Sequence, residues 1–368
     1  MCGIAGIISL QNDFNVLKWL KDVSLILKHR GNDDDGITLF GSQNTHCSSI
    51  EHFQLLDTIK FPLQYLNLTP LSLLYNKNYY AGFIHRRLSI LDLSELGHQP
   101  MCDITGNVWL TYNGEIYNYL ELKKTLQTKG YQFFSNTDTE VLLNCYLHYG
   151  KNFIQHLNGM WAFCIYDKRT NEWILSRDRL GVKPLYYYHS KNIFAFASEQ
   201  KAFIKSQLIP FNINHQALSK YLIDNVLEDR EDGLFQNIKE LQPGKNLFLN
   251  TQSLTIHKEK YFHLKNFITK TSISQTEEQI IQQTKNTVEK SIQQHLRSDV
   301  DVALSLSGGI DSSVIAVTSN KYSSHPLHTF SIVYPSHPSL DEKQFIDVIN
   351  NTIHSIPHFI TPIANDFF

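Results

Sequence analysis

A chain of 368 residues, 42% hydrophobic and 18% charged, can bury a sizeable core and has room for two domains. Its formal net charge of −2 gives no footprint for nucleic acid or an anionic membrane surface, and no apolar run reaches the ~20 residues of a membrane span. The five cysteines are odd in number and lack C-x-x-C spacing, and the seventeen histidines include no H-E-x-x-H, so neither a disulfide framework nor a metal centre is expected and a reducing, cytoplasmic setting fits. Residues 1–10 are apolar without a basic leader, a poor signal peptide.

The spacing predicts a strand over 4–9 and a helix over 16–29. Residues 37–81 carry no clear period and are expected to form an elaborated loop or insertion. Strands are expected over 87–91, 108–112, 159–166, 173–176, 185–188 and 193–197, and helices over 115–129 and 138–149, which together predict a layered α+β domain. From 212 to about 270, a helix over 215–226 and a Leu-Gln-Pro-Gly turn at 241–244 read as a connector. Ser274 and Glu277 have capping-box spacing, and Ile280, Thr284, Val288, Ile292 and Leu296 then share one helical face. A buried strand over 302–306, a glycine loop over 307–313, a helix, a strand over 327–334 and a helix over 341–351 begin a doubly wound parallel sheet. One such unit has too little sheet to cover its own faces, so the second domain is expected to be incomplete.

Chemistry concentrates in a few segments. With Met1 trimmed, Cys2 carries a thiol and a free α-amine on one residue. The amine titrates at about 7.7–8.0, so part of it is neutral near pH 7 and can take the thiol proton. The plain alternative is a buried cysteine on a first strand. His29-Arg30-Gly31-Asn32-Asp33-Asp34 is polar and tightly turned, and His85-Arg86-Arg87-Leu88-Ser89-Ile90-Leu91-Asp92 puts arginines at the entry to a strand. Tyr112-Asn113-Gly114-Glu115-Ile116-Tyr117-Asn118 reads as strand, turn and helix, and Asn136-Thr137-Asp138-Thr139-Glu140 caps a helix. Alone, each has a structural reading: Asn113-Gly114 a turn, Asp138 a cap, Arg87 a surface ion pair.

In this order behind Met1-Cys2-Gly3-Ile4, and followed by Leu157-Asn158-Gly159-Met160-Trp161-Ala162-Phe163, Arg177-Asp178-Arg179-Leu180-Gly181-Val182-Lys183-Pro184 and Ala197-Ser198-Glu199, these segments resemble the class II glutamine amidotransferase domain of the asparagine synthetase family over residues 2–205. The resemblance implies an α+β N-terminal-nucleophile hydrolase with an αββα sandwich. It implies that Cys2 attacks the side-chain amide of glutamine, forming a γ-glutamyl thioester and releasing ammonia. It further implies an oxyanion hole from the Asn113 side chain and the Gly114 amide, Arg87 on the glutamine α-carboxylate, and Glu115 and Asp138 at its ammonium end. Leu88, Ser89, Ile90 and Leu91 belong to the same glutamine-binding run. Asn32 stands where the family commonly has proline, and Lys28 replaces a frequent arginine; neither is assigned chemistry.

Leu304-Ser305-Leu306-Ser307-Gly308-Gly309-Ile310-Asp311-Ser312-Ser313 lies between a strand and a helix. Its glycines let backbone N–H groups approach a phosphate, and no lysine follows them, so it is not a Walker A loop. It resembles the pyrophosphate loop of ATP-pyrophosphatase enzymes, an α/β doubly wound, adenine nucleotide α-hydrolase-like domain. The resemblance implies Leu306 and Ile332 at the adenosine, and Ser307, Gly308, Gly309, Asp311 and Ser312 at the phosphates, Asp311 through Mg²⁺. Aspartate would be adenylated by ATP, and ammonia would displace AMP. The implied organisation is a glutaminase domain over 2–205, a connector over 206–270 and the N-terminal part of an ATP-binding domain over 271–368. Family members continue beyond Phe368, so an impaired synthetase half is expected, with a homodimer or a second chain supplying the missing part left open. Two other readings stand beside this one: an amidotransferase acting on another carboxylate, such as a sugar acid in surface polysaccharide synthesis, and a non-catalytic remnant that binds glutamine or a partner chain.

Overall fold

The computed structural model describes residues 1–42, 44–49, 69–75, 77–225, 231–268 and 275–363. It divides into two compact units, Met1–Thr269 and Lys270–Phe368.

The strands of the first unit are β1 (Gly3–Ser9), β2 (Asp34–Phe40), β3 (Thr45–Ser48), β4 (Ala81–Arg87), β5 (Met101–Cys102), β6 (Val108–Ile116), β7 (Gly159–Asp167), β8 (Glu172–Arg177), β9 (Tyr186–His189), β10 (Ile193–Ala197), β11 (Ile238–Glu240), β12 (Lys245–Asn250) and β13 (Ile256–Lys260). Its helices are α1 (Val16–Ile26), α2 (Tyr119–Thr128), α3 (Asp138–Tyr149), α4 (Lys201–Lys205) and α5 (His215–Asp224). Among the described residues, one antiparallel sheet runs β11-β9-β10-β1-β4-β2-β3 and a second runs β13-β12-β8-β7-β6-β5.

Three layers of core account for this arrangement. Ile4, Ile8, Phe83, Trp109, Cys164, Trp173, Phe196 and Leu247 fill the space between the sheets. Ala5, Ile7, Ile84 and Ala195 on the opposite face of the first sheet meet Val16, Leu20 and Val23 of α1 and Phe203 of α4. Val108, Leu110, Ile116 and Ile165 on the outer face of the second sheet meet Leu122 and Leu126 of α2 and Val141 and Leu142 of α3. The result is the four-layer αββα sandwich. Asn15 starts α1 by accepting a hydrogen bond from the Lys18 amide, and Thr137 starts α3 by accepting one from Glu140.

Burial on both faces hid several strands from the sequence reading. β3 and the greater part of β2 lie inside the stretch expected to be an insertion, and β2 and β4 are buried almost throughout, so neither alternates apolar with polar. Residues 50–68 of that stretch lie outside the described residues. The expected strand over 87–91 is displaced: β4 ends at Arg87 and the chain then leaves the sheet. The Asn113-Gly114 turn is also overturned, because β6 continues through both residues to Ile116 in register with β7, and α2 begins at Tyr119 rather than 115. A full ladder partner outweighed the local turn signal. Residues 206–268 contribute β11 to the first sheet and β12 and β13 to the second.

Arg177 at the end of β8 and Glu240 at the end of β11 tie the sheets together by an ion pair of 2.5 Å, with side chains only 6% and 7% exposed. Removing one partner strands a buried charge. Glu240→Ala is therefore expected to destabilise the first unit by about 3–5 kcal/mol, read as a lower urea midpoint of tryptophan fluorescence, since Trp19, Trp109, Trp161 and Trp173 are the four tryptophans and all lie in this unit.

The second unit contains α6 (Glu277–His295), β14 (Ala303–Ser305), α7 (Ile310–Asn320), β15 (His328–Ile332), α8 (Lys343–Ile353) and β16 (Ile356–Ile360). Its three strands are parallel in the order β14-β15-β16. Leu306, Ala316, Ile346 and Ile353 form its core. The third strand was not expected; β16 contains Pro357 and lies at an edge of the sheet among the described residues, where a missing N–H is tolerated. The capping box that opens α6 is Thr276 with Gln279, two residues beyond the expected pair, and Ser274 lies outside the described residues.

Candidate active site

The two-residue period of the strands brings the first set of predicted residues together. Phe83 on β4 faces the space between the sheets, so His85 and Arg87 share that face; Ile84 and Arg86 take the other, where Arg86 Nε donates to Ser24 Oγ at 2.8 Å. Trp109 on β6 faces the same inner layer, which places Asn113 and Glu115 there as well. Cys2 enters β1 two residues ahead of inward-facing Ile4. Three chain segments distant in sequence thus deliver Cys2, Arg87, Asn113 and Glu115 to one end of the sandwich interior.

The Cys2 sulfur lies against the peptide groups of Leu88. The Leu88 amide donates to Sγ at 3.4 Å, and the thiol is 3.6 Å from the Leu88 carbonyl. Burial pushes the Cys2 thiol up, while the Leu88 backbone contact and the chain-terminal amine pull it down. Arg30 Nε donates to the Cys2 carbonyl at 2.9 Å, and its Nη1 donates to Glu199 at 2.9 Å. Glu199 also meets His29 and Lys201, each at 2.8 Å. Burial alone would raise the Glu199 carboxyl, but the bonds from Lys201, Arg30 and His29 outweigh it and hold it at about 2. The sequence reading gave Arg30 no role. Its signal was present in the His-Arg-Gly run, but nothing in the spacing tells that the guanidinium returns to Cys2.

Residues 88–98 form a strap over the thiol. Arg87 is buried and donates from Nη1 to the Ser94 carbonyl at 2.9 Å, and from Nη2 to the carbonyls of Leu91 at 3.1 Å and Asp92 at 2.5 Å. A Cβ on Gly97 would stand 1.8 Å from Arg87 Nη2, so only glycine lets the strap close on this guanidinium. The Ser89 amide donates to Asp33 at 2.7 Å, Ile90 is half-buried, and Leu91 is buried. At the far end, His98 Nδ1 meets Asp34 Oδ2 at 2.7 Å, both side chains largely buried. Burial tends to raise the Asp34 carboxyl; the His98 contact outweighs it and brings it to about 2. A carboxyl depressed on folding stabilises above its unfolded value, near 3.8, and that contribution is lost as pH falls toward 2. Asp34→Asn is expected to lower stability at neutral pH and to flatten the loss of stability between these two values, measured as urea midpoints against pH.

Asn113 is 1% exposed, and among the described residues its Nδ2 has no hydrogen-bond partner. Gly114 runs tightly along β7, where a Cβ would come within 2.2 Å of the Met160 carbonyl. Asp138, in the first turn of α3, accepts from the Tyr112 hydroxyl and the Ile116 amide, both at 2.8 Å. Burial pushes the Asp138 carboxyl up. Burial also raises Glu115, the negative charge of Asp138 adds to this, and Lys183 opposes it. The two carboxylates repel each other, and a cationic group near both would be stabilised.

In the second unit the predicted phosphate residues are contiguous at the carboxyl ends of the strands. Gly308 has a positive φ of 83° and packs against Phe345 of α8. Gly309 is the N-cap of α7 and offers no side-chain oxygen, which leaves the first-turn N–H groups open to an anion. Ser307 and Ser312 hydroxyls lie 3.0 Å apart, and Asp311 is exposed in the first turn. Leu306 is buried and its carbonyl accepts from Ser331 Oγ at 2.7 Å; Ile332 stands 55% exposed at the end of β15. The loop fits a polyphosphate. Among the described residues no group of three or more His, Cys, Asp or Glu is set to hold a metal ion. No helix of the described residues is long and apolar enough to cross a membrane.

Comparison with known proteins agrees with this geometry. Residues 73–262 match the glutamine amidotransferase domain family and residues 283–367 the asparagine synthase family. The glutamine-hydrolyzing asparagine synthetase 1 of Bacillus subtilis is 32% identical over 336 residues, covering 90% of this chain and 46% of that protein. Asparagine synthetase 3 of the same organism is 35% identical over 258 residues, 68% of this chain and 41% of that protein. The chain spans about half the length of the curated relatives it matches. The solved structure of the glutamine phosphoribosylpyrophosphate amidotransferase of B. subtilis, complexed with ADP and GMP, shares the fold at a TM-score of 0.52 and 16% identity, over 97% of this chain and 81% of that one. A class II glutamine amidotransferase sandwich followed by asparagine synthase sequence is the combination on which this chain belongs to the glutamine-hydrolysing asparagine synthetase family.

Proposed function

We propose that the first unit hydrolyses glutamine and that the second uses the ammonia to amidate aspartate at the expense of ATP. The observation that carries the first half is the buried, unpartnered Asn113 amide beside Gly114, on the strand that shares the inner layer with Cys2. Once Met1 is removed, the Cys2 α-amine takes the thiol proton and Sγ attacks the side-chain carbonyl carbon of glutamine. Asn113 Nδ2 and the Gly114 amide donate to the oxygen as it becomes an oxyanion. The amine returns its proton to the leaving nitrogen, ammonia departs, and water cleaves the γ-glutamyl thioester to glutamate. Arg87 takes the α-carboxylate, with Leu88, Ser89, Ile90 and Leu91 along the same wall. Glu115 and Asp138 take the ammonium, whose charge relieves their mutual repulsion. Residues 2–205 carry this chemistry, residues 206–268 complete its two sheets, and residues 271–368 begin the nucleotide domain.

There, Ser307, Gly308, Gly309 and Ser312 bind the phosphates of ATP, with Leu306 and Ile332 toward the adenosine. Asp311 would hold Mg²⁺, which when bound would neutralise phosphate charge. The aspartate carboxylate attacks the α-phosphorus, pyrophosphate leaves, and ammonia then displaces AMP to give asparagine. The five free thiols fit a reducing, cytoplasmic setting. The test is a product assay by mass spectrometry on the processed protein with glutamine, aspartate, ATP and Mg²⁺. Glutamate with asparagine and AMP in proportion supports both halves. Glutamate alone limits the reading to glutaminase, and its absence overturns it.

A further inference from the structure

The reaction above leaves one buried charge without a use. Lys183 is 6% exposed, and it lies in the loop between β8 and β9. That loop is held with unusual thoroughness. Asp178 Oδ1 accepts from the amides of Leu180 and Val182, each at 3.0 Å, and Oδ2 accepts from those of Lys183 at 3.0 Å and Trp161 at 3.3 Å. Arg177 donates from Nε to the Lys183 carbonyl and from Nη2 to the Gly181 carbonyl, each at 2.8 Å. Both peptide groups of Lys183 are thereby fixed, while Leu180 and Val182 beside it are exposed. The loop turns its apolar residues outward and its lysine inward, the reverse of what burial favours.

Among the described residues the Lys183 ammonium makes no ion pair. Its charge acts instead on Glu115 and Cys2, with Arg30 and Asp178 also near, and on the Met1 amine, one residue ahead of the Cys2 amine that removal of Met1 would free. A largely buried lysine without an ion-pair partner costs stability, and an apolar side chain would fill the same space without that cost.

We propose that Lys183 is a positioning residue of the glutaminase site, whose ammonium is held beside Cys2 and Glu115 by the Arg177–Asp178 loop and biases Cys2 toward the thiolate and the unprotonated α-amine. The inference rests on the glutaminase reading. The charged and titratable groups facing Cys2 are the terminal amine, Arg87 from β4, Tyr112 and Glu115 from β6, and Lys183 from its loop, with Arg30 and Asp33 near the amine. Glu115 disfavours the thiolate; Lys183 opposes it. A cation favours the thiolate and disfavours the ammonium, so both effects of Lys183 move activity to lower pH.

The experiment measures iodoacetamide labelling of the Cys2 peptide against pH by mass spectrometry in the processed full chain, beside kcat and KM for glutamine. Lys183→Met is expected to move half-maximal labelling upward by about one pH unit. At pH 7 its kcat should fall about tenfold while KM changes by less than about twofold. Lys183→Arg keeps the charge and is expected to keep the labelling profile. An unshifted profile in folded Lys183→Met, judged by tryptophan fluorescence, overturns the proposal; Lys183→Gln replaces it should the methionine variant not fold. If the parent chain releases no glutamate, the functional reading fails, yet the labelling profile still decides the role of Lys183.

Discussion

Cys2→Ala is expected to lower glutamine hydrolysis by at least about 10⁴-fold, because it deletes the atom to which the acyl group would be bound. The loss should come without unfolding. Cys2 is half-buried, and its sulfur touches only the Leu88 peptide groups at 3.4 and 3.6 Å among its hydrogen-bond contacts. The Arg30 bond goes to the Cys2 carbonyl and survives the substitution. Tryptophan fluorescence and the urea midpoint should therefore match the parent while glutamate release disappears. Retention of more than about one percent of the parental rate would remove Cys2 from the mechanism.

The second large effect is at Asn113. An oxyanion donor is typically worth about 10²–10³ in kcat, and Asn113→Ala should show a loss of that size with KM little changed. Stability separates this role from a structural one. The Nδ2 group is buried without a partner, so folding already bears its desolvation, and removing it relieves that cost. The urea midpoint is expected to stay level or rise. A variant that loses several kcal/mol of stability but keeps kcat would mark Asn113 as a packing residue, and the oxyanion assignment would fall with it.

The two measurements interlock with the pH arguments. Asp34–His98 holds the far end of the strap, and Leu88 at its near end touches the thiol. Acid that protonates Asp34 thus loosens the segment that meets Cys2, whereas the proposed Lys183 effect acts in the neutral range on the thiol and amine themselves. An activity profile with its acidic limb moved by Lys183→Met but not by Asp34→Asn would keep the two apart.

Much of the proposed chemistry was legible in order along the chain. Cys2, the Arg87 run, Asn113-Gly114, Asp138 and the Ser307–Ser312 loop each carry a local signature, and their succession carries the family resemblance. The register was not legible. Asn113-Gly114 is a strong turn signal read locally, yet β7 pairs with β6 straight through it. β2 and β4 are covered on both sides, so the period of two that announces a half-exposed strand is absent from them. β16 contains Pro357, and its edge position cannot be seen from the sequence.

What the sequence alone determined is the family, together with the set of candidate reactive groups: these depend on residue identity and short spacing, which the chain displays directly. What the tertiary structure decided is who faces whom. The alternation of β1, β4 and β6 brings Cys2, Arg87, Asn113 and Glu115 to one end of the interior, the Arg30 guanidinium reaches back to the Cys2 carbonyl, and the Arg177–Asp178 loop turns Lys183 inward. These are long-range pairings, fixed by which faces can be buried together, and no local pattern in the chain encodes them.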